Sequence, residues 1–260
     1  MPKAIIHALL IASIGAASGY GARAAEYTLM PTPQTVHFGY FSAAQRPALT
    51  INSGDIVTME STLQLDPAEI ERSSVVPPSL IPESARVIFR EVTDRVPGPH
   101  VLTGPVFVNG AEPGDVLEVR IQDINLAIDY GYNRQRPYAG ALPDEFPGGF
   151  MRIIRINRGT KTAEVAPGVV IPLSRPFFGT MGVAPPAFMG RISSAPPGIH
   201  TGNIDNKDVA AGTTLYLPVS PKARCSRSAT VTARKARARS ISPLSRPGYA
   251  ANSSSSCART

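Results

Sequence analysis

Apolar and polar positions in this chain alternate in short runs broken by turn residues, and helical spacing is rare. Ala48-Leu49-Thr50-Ile51 leads into the turn Asn52-Ser53-Gly54-Asp55 and then a second run, Ile56-Val57-Thr58-Met59. Over residues 115–123, Val116, Glu118, Arg120 and Gln122 alternate with Leu117, Val119, Ile121 and Asp123, an imperfect period of two that a helix would not show. Residues 150–157 and 162–165 flank Arg158-Gly159-Thr160 as a hairpin, and residues 213–219 read as a further strand. Helix is expected only over 67–72, where Asp66 can cap the N-terminus and Pro67 takes the first position, and over 83–94. The pattern predicts a mainly β fold, a β-rich sandwich or barrel-like domain with few short helices. Three Pro-rich stretches (75–82, 137–147 and 185–197) carry Phe, Met or Ile. They read equally as loops packed over a site and as plain connections between sheet edges.

The two ends depart from this pattern. Lys3 precedes an apolar run from Ala4 to Ala17, and Ala22-Arg23-Ala24 has the form of a signal-peptidase site. Residues 1–24 are therefore expected to be a signal peptide, and the mature chain, starting near Ala25, to be periplasmic or secreted. The apolar run is too short for a stable membrane span. At the other end, residues 221–260 hold nine Lys and Arg and no acid, whereas residues 1–220 hold 17 basic and 19 acidic residues. The formal charge of +7 thus belongs to the tail and says nothing of the body's partners. The tail's composition predicts disorder. Both cysteines, Cys225 and Cys257, also lie in the tail, so the body uses neither a disulfide nor a cysteine-bound metal. The expected division is a signal peptide (1–24), a β-rich domain (25–220) and a basic disordered tail (221–260).

Chemistry-bearing residues in the body are few. His37, His100 and His200 each sit beside Gly or Pro at the end of a strand-like run. A lone histidine is more often structural than a ligand, but three in such settings favour a role for at least one. Imidazoles with a carboxylate and an open water position would suit a hydrolytic zinc site, although no HExxH-type spacing is present. Among the carboxylates, Asp115 after Glu112-Pro113-Gly114 reads as a turn acid. Glu60, Asp123, Asp129, Asp144 and Asp205 remain open, Asp205 equally as an Asx-turn residue. No G-x-S-x-G, no body cysteine nucleophile and no phosphate loop is present.

Four blocks give a family resemblance: HFGYFSAAQRPALTINSGDIV, HVLTGPVFVNGAEPGDVLEV, PFFGTMGVAP and HTGNIDNKDVAAGTTLYLPV. In order and spacing they resemble the acetamidase/formamidase family of amide hydrolases, over about residues 33–219. The resemblance implies a β-rich fold and hydrolysis of short linear amides to a carboxylate and ammonia, assisted by a divalent metal, zinc foremost. Carried onto this chain, it implies His200, Asp123 and Asp205 as catalytic residues and His100, His200 and Asp123 as metal ligands. Asn203, His37 and Thr103 fall on the substrate side. The implied partner is a small amide, with no nucleic acid and room for a homo-oligomer.

After the LYLPV strand the family continues with a segment resembling GALFSVGDGHGAQGEGEVDI, whereas this chain reads KARCSRSATVTARKARARSI. One nucleotide stretch can encode both: codons chosen for the second string, read two nucleotides later, give GALFSVGDGHGAQGEGEVD. This predicts a reading-frame shift between Val219 and Lys222. The rival readings are a catalytically inert family member, a β module that binds small molecules or sugars, and a tail evolved as a polyanion-binding arm. The tail has no aromatic interleaving beyond Tyr249, and a secreted protein rarely needs such an arm.

Overall fold

The computed structural model describes residues 24–138, 141–220, 229–236 and 249–258, the last two stretches as backbone. The expected signal peptide falls outside the described residues, except for Ala24. In chain order the strands are β1 (Glu26–Leu29), β2 (Val36–Phe38), β3 (Tyr40–Phe41), β4 (Leu49–Ile51), β5 (Ile56–Ser61), β6 (Val101–Val108), β7 (Val116–Leu126) and β8 (Tyr130–Gln135). They continue as β9 (Phe150–Asn157), β10 (Thr162–Ala166), β11 (Val169–Pro172), β12 (Phe178–Val183), β13 (Ile192–Ser193), β14 (Thr201–Gly202) and β15 (Thr214–Pro218). The last two are β16 (Ala229–Ala236) and β17 (Tyr249–Ala258). The α-helices are α1 (Pro67–Arg72) and α2 (Glu83–Glu91).

Two sheets carry the fold: one of order β1-β5-β17-β7-β15, and one of order β14-β12-β16-β6-β2 with β4 beside β6. The alternation along β7 sends Leu117, Val119 and Ile121 inward. Val106 and Val108 of β6 and Phe178, Met181 and Val183 of β12 meet them in one buried cluster, so the two sheets form a sandwich. The β8–β11 sheet stands apart and is apolar on both faces, because the adjacent Ile153 and Ile154 of β9 point oppositely. Ile153 packs with Ile70 of α1, and Ile154 with Leu173. Helix α2 buries Ala85 and Ile88, and Ile88 closes a small cluster with Val36, Phe38 and Val101.

Local expectations hold in detail. The Asp66 carboxylate accepts from Ala68 N at 2.9 Å, which caps α1. The Asp115 carboxylate accepts from Glu112 N at 2.9 Å, fixing the turn into β7. The hairpin of β9 and β10 pairs Asn157 with Thr162. The two runs around residues 52–55 do not pair with each other: β4 lies parallel to β6, and β5 parallel to β1.

The tail, expected to be disordered, contributes two strands. β16 lies between β12 and β6, and β17 between β5 and β7, both in interior positions of the sheets. The physical reason is that β5, β6, β7 and β12 each present a row of backbone donors and acceptors to a gap. Backbone pairing is indifferent to side-chain composition, so charge content did not forecast it.

Leu117 of β7 is fully buried and pairs with buried Leu217 of β15. Leu117→Ala is expected to cost about 2–5 kcal/mol in equilibrium urea unfolding. Tyr216→Ala, on the outward face of β15, should stay within about 0.5 kcal/mol of the parent.

Candidate functional site

Close backbone approach builds the site. Gly39, between β2 and β3 with φ +84°, accepts through its carbonyl from Gly98 N at 2.7 Å and Ser194 N at 2.9 Å. Its own N–H donates to His100 O at 2.6 Å. A Cβ on Gly98 would stand 2.5 Å from both Gly39 O and Ser194 Oγ, so this crossing of three segments admits no side chain there. The knot delivers His37, His100, Ser194 and the β3 aromatics to one end of the β14-β12-β16-β6-β2 sheet.

Each histidine is buried, and each in a different way. His100 donates from Nδ1 to Ser194 O at 2.8 Å. This fixes its tautomer and leaves Nε2 as the lone-pair nitrogen. His37 has no partner at Nδ1, and its ring lies 5.2 Å from that of Tyr40. Burial lowers its pKa to about 4, against backbone hydrogen bonds at Tyr40 and Gly104, and the positive Arg191 adds to the lowering. Arg191 itself stacks 4.3 Å from the Tyr40 ring centre and pairs with Asp94 at 2.5 Å. His200 is 3% exposed and has no partner on either ring nitrogen among the described residues; burial lowers its pKa as well. Its ring lies 4.8 Å from that of Phe41. A Cβ on Gly202 would come within 2.6 Å of Nε2, so glycine at 202 makes room for the imidazole.

Around His200 the polar contacts are ordered. Asn203 accepts from Thr180 Oγ1 at 3.1 Å and donates to Ala195 O at 2.9 Å, which binds the 185–197 loop to β12. Asp205, half-buried with φ +43°, donates its N–H to Gly179 O at 2.8 Å. Thr103 on β6 is fully buried, and its hydroxyl has no partner among the described residues. Thr103 and Met181 both pair with Ala233 of β16, and Met181 pairs on its other side with Gly202. A lateral row therefore runs from Thr103 through β16 to the neighbour of His200, with Thr103 and Met181 about 10 Å apart at sheet spacing.

The structure brings His37, His100, Thr103, His200 and Asn203 to this region, with Asp205 alongside. It does not bring Asp123. That residue lies on β7 in the other sheet, where it binds Ile124 N and Asn125 and lines an open cleft whose lining includes no histidine. Sequence order could not tell which sheet would receive it. Among the described residues no three His, Cys, Asp or Glu form a group that could hold a metal ion. The orphaned nitrogens of His200 fit a donor role, but the described residues do not complete a ligand set. Sequence reading singled out none of Ser194, Thr180 and Phe41, although Phe41 and Thr180 lie within the family-like blocks and Ser194 within the 185–197 loop, one of the three read as packed over a site. Of the other Pro-rich stretches, 75–82 lines the Asp123 cleft, and the described part of 137–147 lines neither region. Glu60, another open carboxylate, is half-buried on β5, and burial raises its pKa.

Residues 90–194 match the model of the Acetamidase/Formamidase family. A curated formamidase from Methylophilus methylotrophus is 28% identical over 170 residues, 46% of this chain and 42% of that protein. The chain thus spans under half the length of that relative. Among solved structures, a predicted acetamidase/formamidase from Thermoanaerobacter tengcongensis superposes with a TM-score of 0.67 at 24% identity, covering 90% of this chain and 70% of that one. An acetamidase from Bacillus halodurans gives 0.63 at 24%, covering 88% and 70%. A γ-lactamase from Delftia acidovorans gives 0.63 at 20%, covering 89% and 68%.

Two outcomes follow from the geometry. The native state holds His37 neutral to about pH 4, whereas the unfolded chain protonates it near 6.5. Between these values the unfolded state binds the extra proton, so stability falls as pH falls from 6.5 and levels off below about 4. The loss from this residue is roughly 3 kcal/mol at most. Urea unfolding at several pH values checks this, and His37→Gln should flatten the slope. Gly98→Ala should lower the melting temperature and shift the His100 ring resonances, read by NMR.

Proposed function

We propose that this chain, of the acetamidase/formamidase family, hydrolyses short linear amides to a carboxylate and ammonia. The observation that carries the reading is His200: a buried imidazole, neutral at pH 7, with both nitrogens unsatisfied beside a tethered Asn203. A buried polar group without a partner is costly unless something else occupies the site. In the proposed chemistry His200 takes the proton from the attacking water and returns it to the departing ammonia. Thr103, three strands along the same sheet from Gly202 and so roughly 14 Å away at sheet spacing, is left out of this step. Asn203 holds the 185–197 loop over the site, His37 and Tyr40 wall it, and Asp205 is the nearest carboxylate candidate in the chain. Asp123 takes no part.

A divalent ion, zinc foremost, would polarise the amide carbonyl and acidify a bound water. With the lone pair of His200 engaged as the base, His100 through Nε2 is the donor that the described residues offer. The expected frame shift bears on the rest. In the alternative frame an Asp codon straddles those of Ala229 and Thr230, and a His codon straddles those of Val231 and Thr232. These positions lie in β16, the strand between Thr103 and Met181. With codons chosen to give the family-like string, the acid and the imidazole would fall on the strand that crosses the site, and sequencing the coding DNA across codons 215–240 tests this.

The decisive comparison is between the 260-residue chain and a version with the frame restored. The restored protein should release ammonia from formamide or acetamide, and His200→Ala should cut kcat by about 100-fold or more. Absence of ammonia with every divalent metal tried would refute the hydrolase. A second reading, the given chain as an inert member, is motivated by the family-like segment that its tail lacks. Amide turnover by the 260-residue form itself would overturn that second reading. Export is also part of the proposal: a secreted product beginning near Ala25, read by mass spectrometry, is expected.

A further inference from the structure

An open cleft of about 1030 Å³ lies between β7, the β9–β10 hairpin and the segment that leads into β12. It is separate from the histidine cluster, and its size reaches the upper end of the usual range for ligand pockets. Leu80, Leu126 and Leu173 give it an apolar floor. On one wall stand Lys161 and Arg175. Lys161 holds φ +52° in the tight turn of the hairpin, and its carbonyl accepts from Leu173 N at 2.6 Å. That bond ties the turn to a point two residues before Arg175. The cleft's other cations are engaged: Arg158 with Asp129, and Arg155 with Val75 O at 2.8 Å. Lys161 and Arg175 have no side-chain partner among the described residues, so an exposed cationic pair faces a hydrophobic floor.

We propose that this cleft binds an amphiphilic monocarboxylate, with its head on Lys161 and Arg175 and its aliphatic or aromatic body along the leucine floor. The planar guanidinium suits a carboxylate bidentately, and the ammonium adds a second charge-assisted bond. A dianion such as phosphate fits less well. It gains nothing from the floor, and Asp123 and Asp129 line the same cleft. The inference goes beyond the amide hydrolysis above: neither its residues nor its test depends on turnover.

Calorimetric titration of the full 260-residue chain with hexanoate, hexanamide, hexylammonium and inorganic phosphate tests it. Hexanoate should bind at least about tenfold more tightly than hexanamide, and added salt should weaken it. Lys161→Gln with Arg175→Gln should lower hexanoate affinity about tenfold or more, while Arg46→Gln, an exposed cation outside the cleft, should leave it unchanged. Both cleft substitutions are at exposed positions, and an unchanged melting temperature confirms that the variant is folded. The proposal is overturned if hexanamide or phosphate binds as well as hexanoate. It is also overturned if the double substitution leaves binding intact, or if millimolar hexanoate gives no signal.

Discussion

Backbone pairing inside the two sheets is the constraint on which everything else in this molecule rests. β6 and β12 do not touch each other; they are joined through β16, and β5 and β7 are joined through β17. Without those strands four long rows of donors and acceptors would face apolar surroundings, at a cost of about 1–3 kcal/mol for each buried group left unmet. Any polypeptide can satisfy such rows, including YAANSSSSCA or ATVTARKA. The sandwich core is a separate matter, since it depends on apolar side chains meeting across the two layers. A sequence that pairs well and a sequence that packs well are different demands, and the tail composition is suited to the first.

The same strand governs the chemistry. Thr103 and the His200 turn belong to opposite sides of β16, joined by the row through Ala233. The site is therefore a product of three strands from distant parts of the chain, and its middle member lies beyond the point where the reading frame is in question. The matched residues 90–194 hold His100, Thr103 and Ser194, but neither His200 nor β16.

What the sequence disclosed was local. Period-two alternation located β7, β9 and β15, Asp66 and Asp115 declared a cap and a turn, and Arg158-Gly159-Thr160 declared a hairpin, because each rests on interactions within a few residues. Partnership was not legible. The Asn52–Asp55 turn resembles a hairpin turn, yet it sends β4 and β5 to different sheets, β4 beside β6 and β5 beside β1. The place of Asp123 was illegible for the same reason: nothing local said which sheet its strand would join. The histidines were visible by their rarity, but the Gly39–Gly98–Ser194 crossing that gathers them joins positions far apart in the chain and has no signature except glycine.

Burial then decides what those histidines can do. An imidazole that loses its water without gaining an anion is held neutral, and it offers a lone pair at neutral pH. His37 and His200 meet that condition through packing against aromatic rings, and His100 reaches a defined tautomer through Ser194. The cluster is thus poised to accept protons or donate lone pairs. The leucine-floored cleft has the opposite character, open and cationic. The neutral imidazoles and the exposed Lys161 and Arg175 thus occupy different regions of the fold, the first enclosed and the second lining an open cleft.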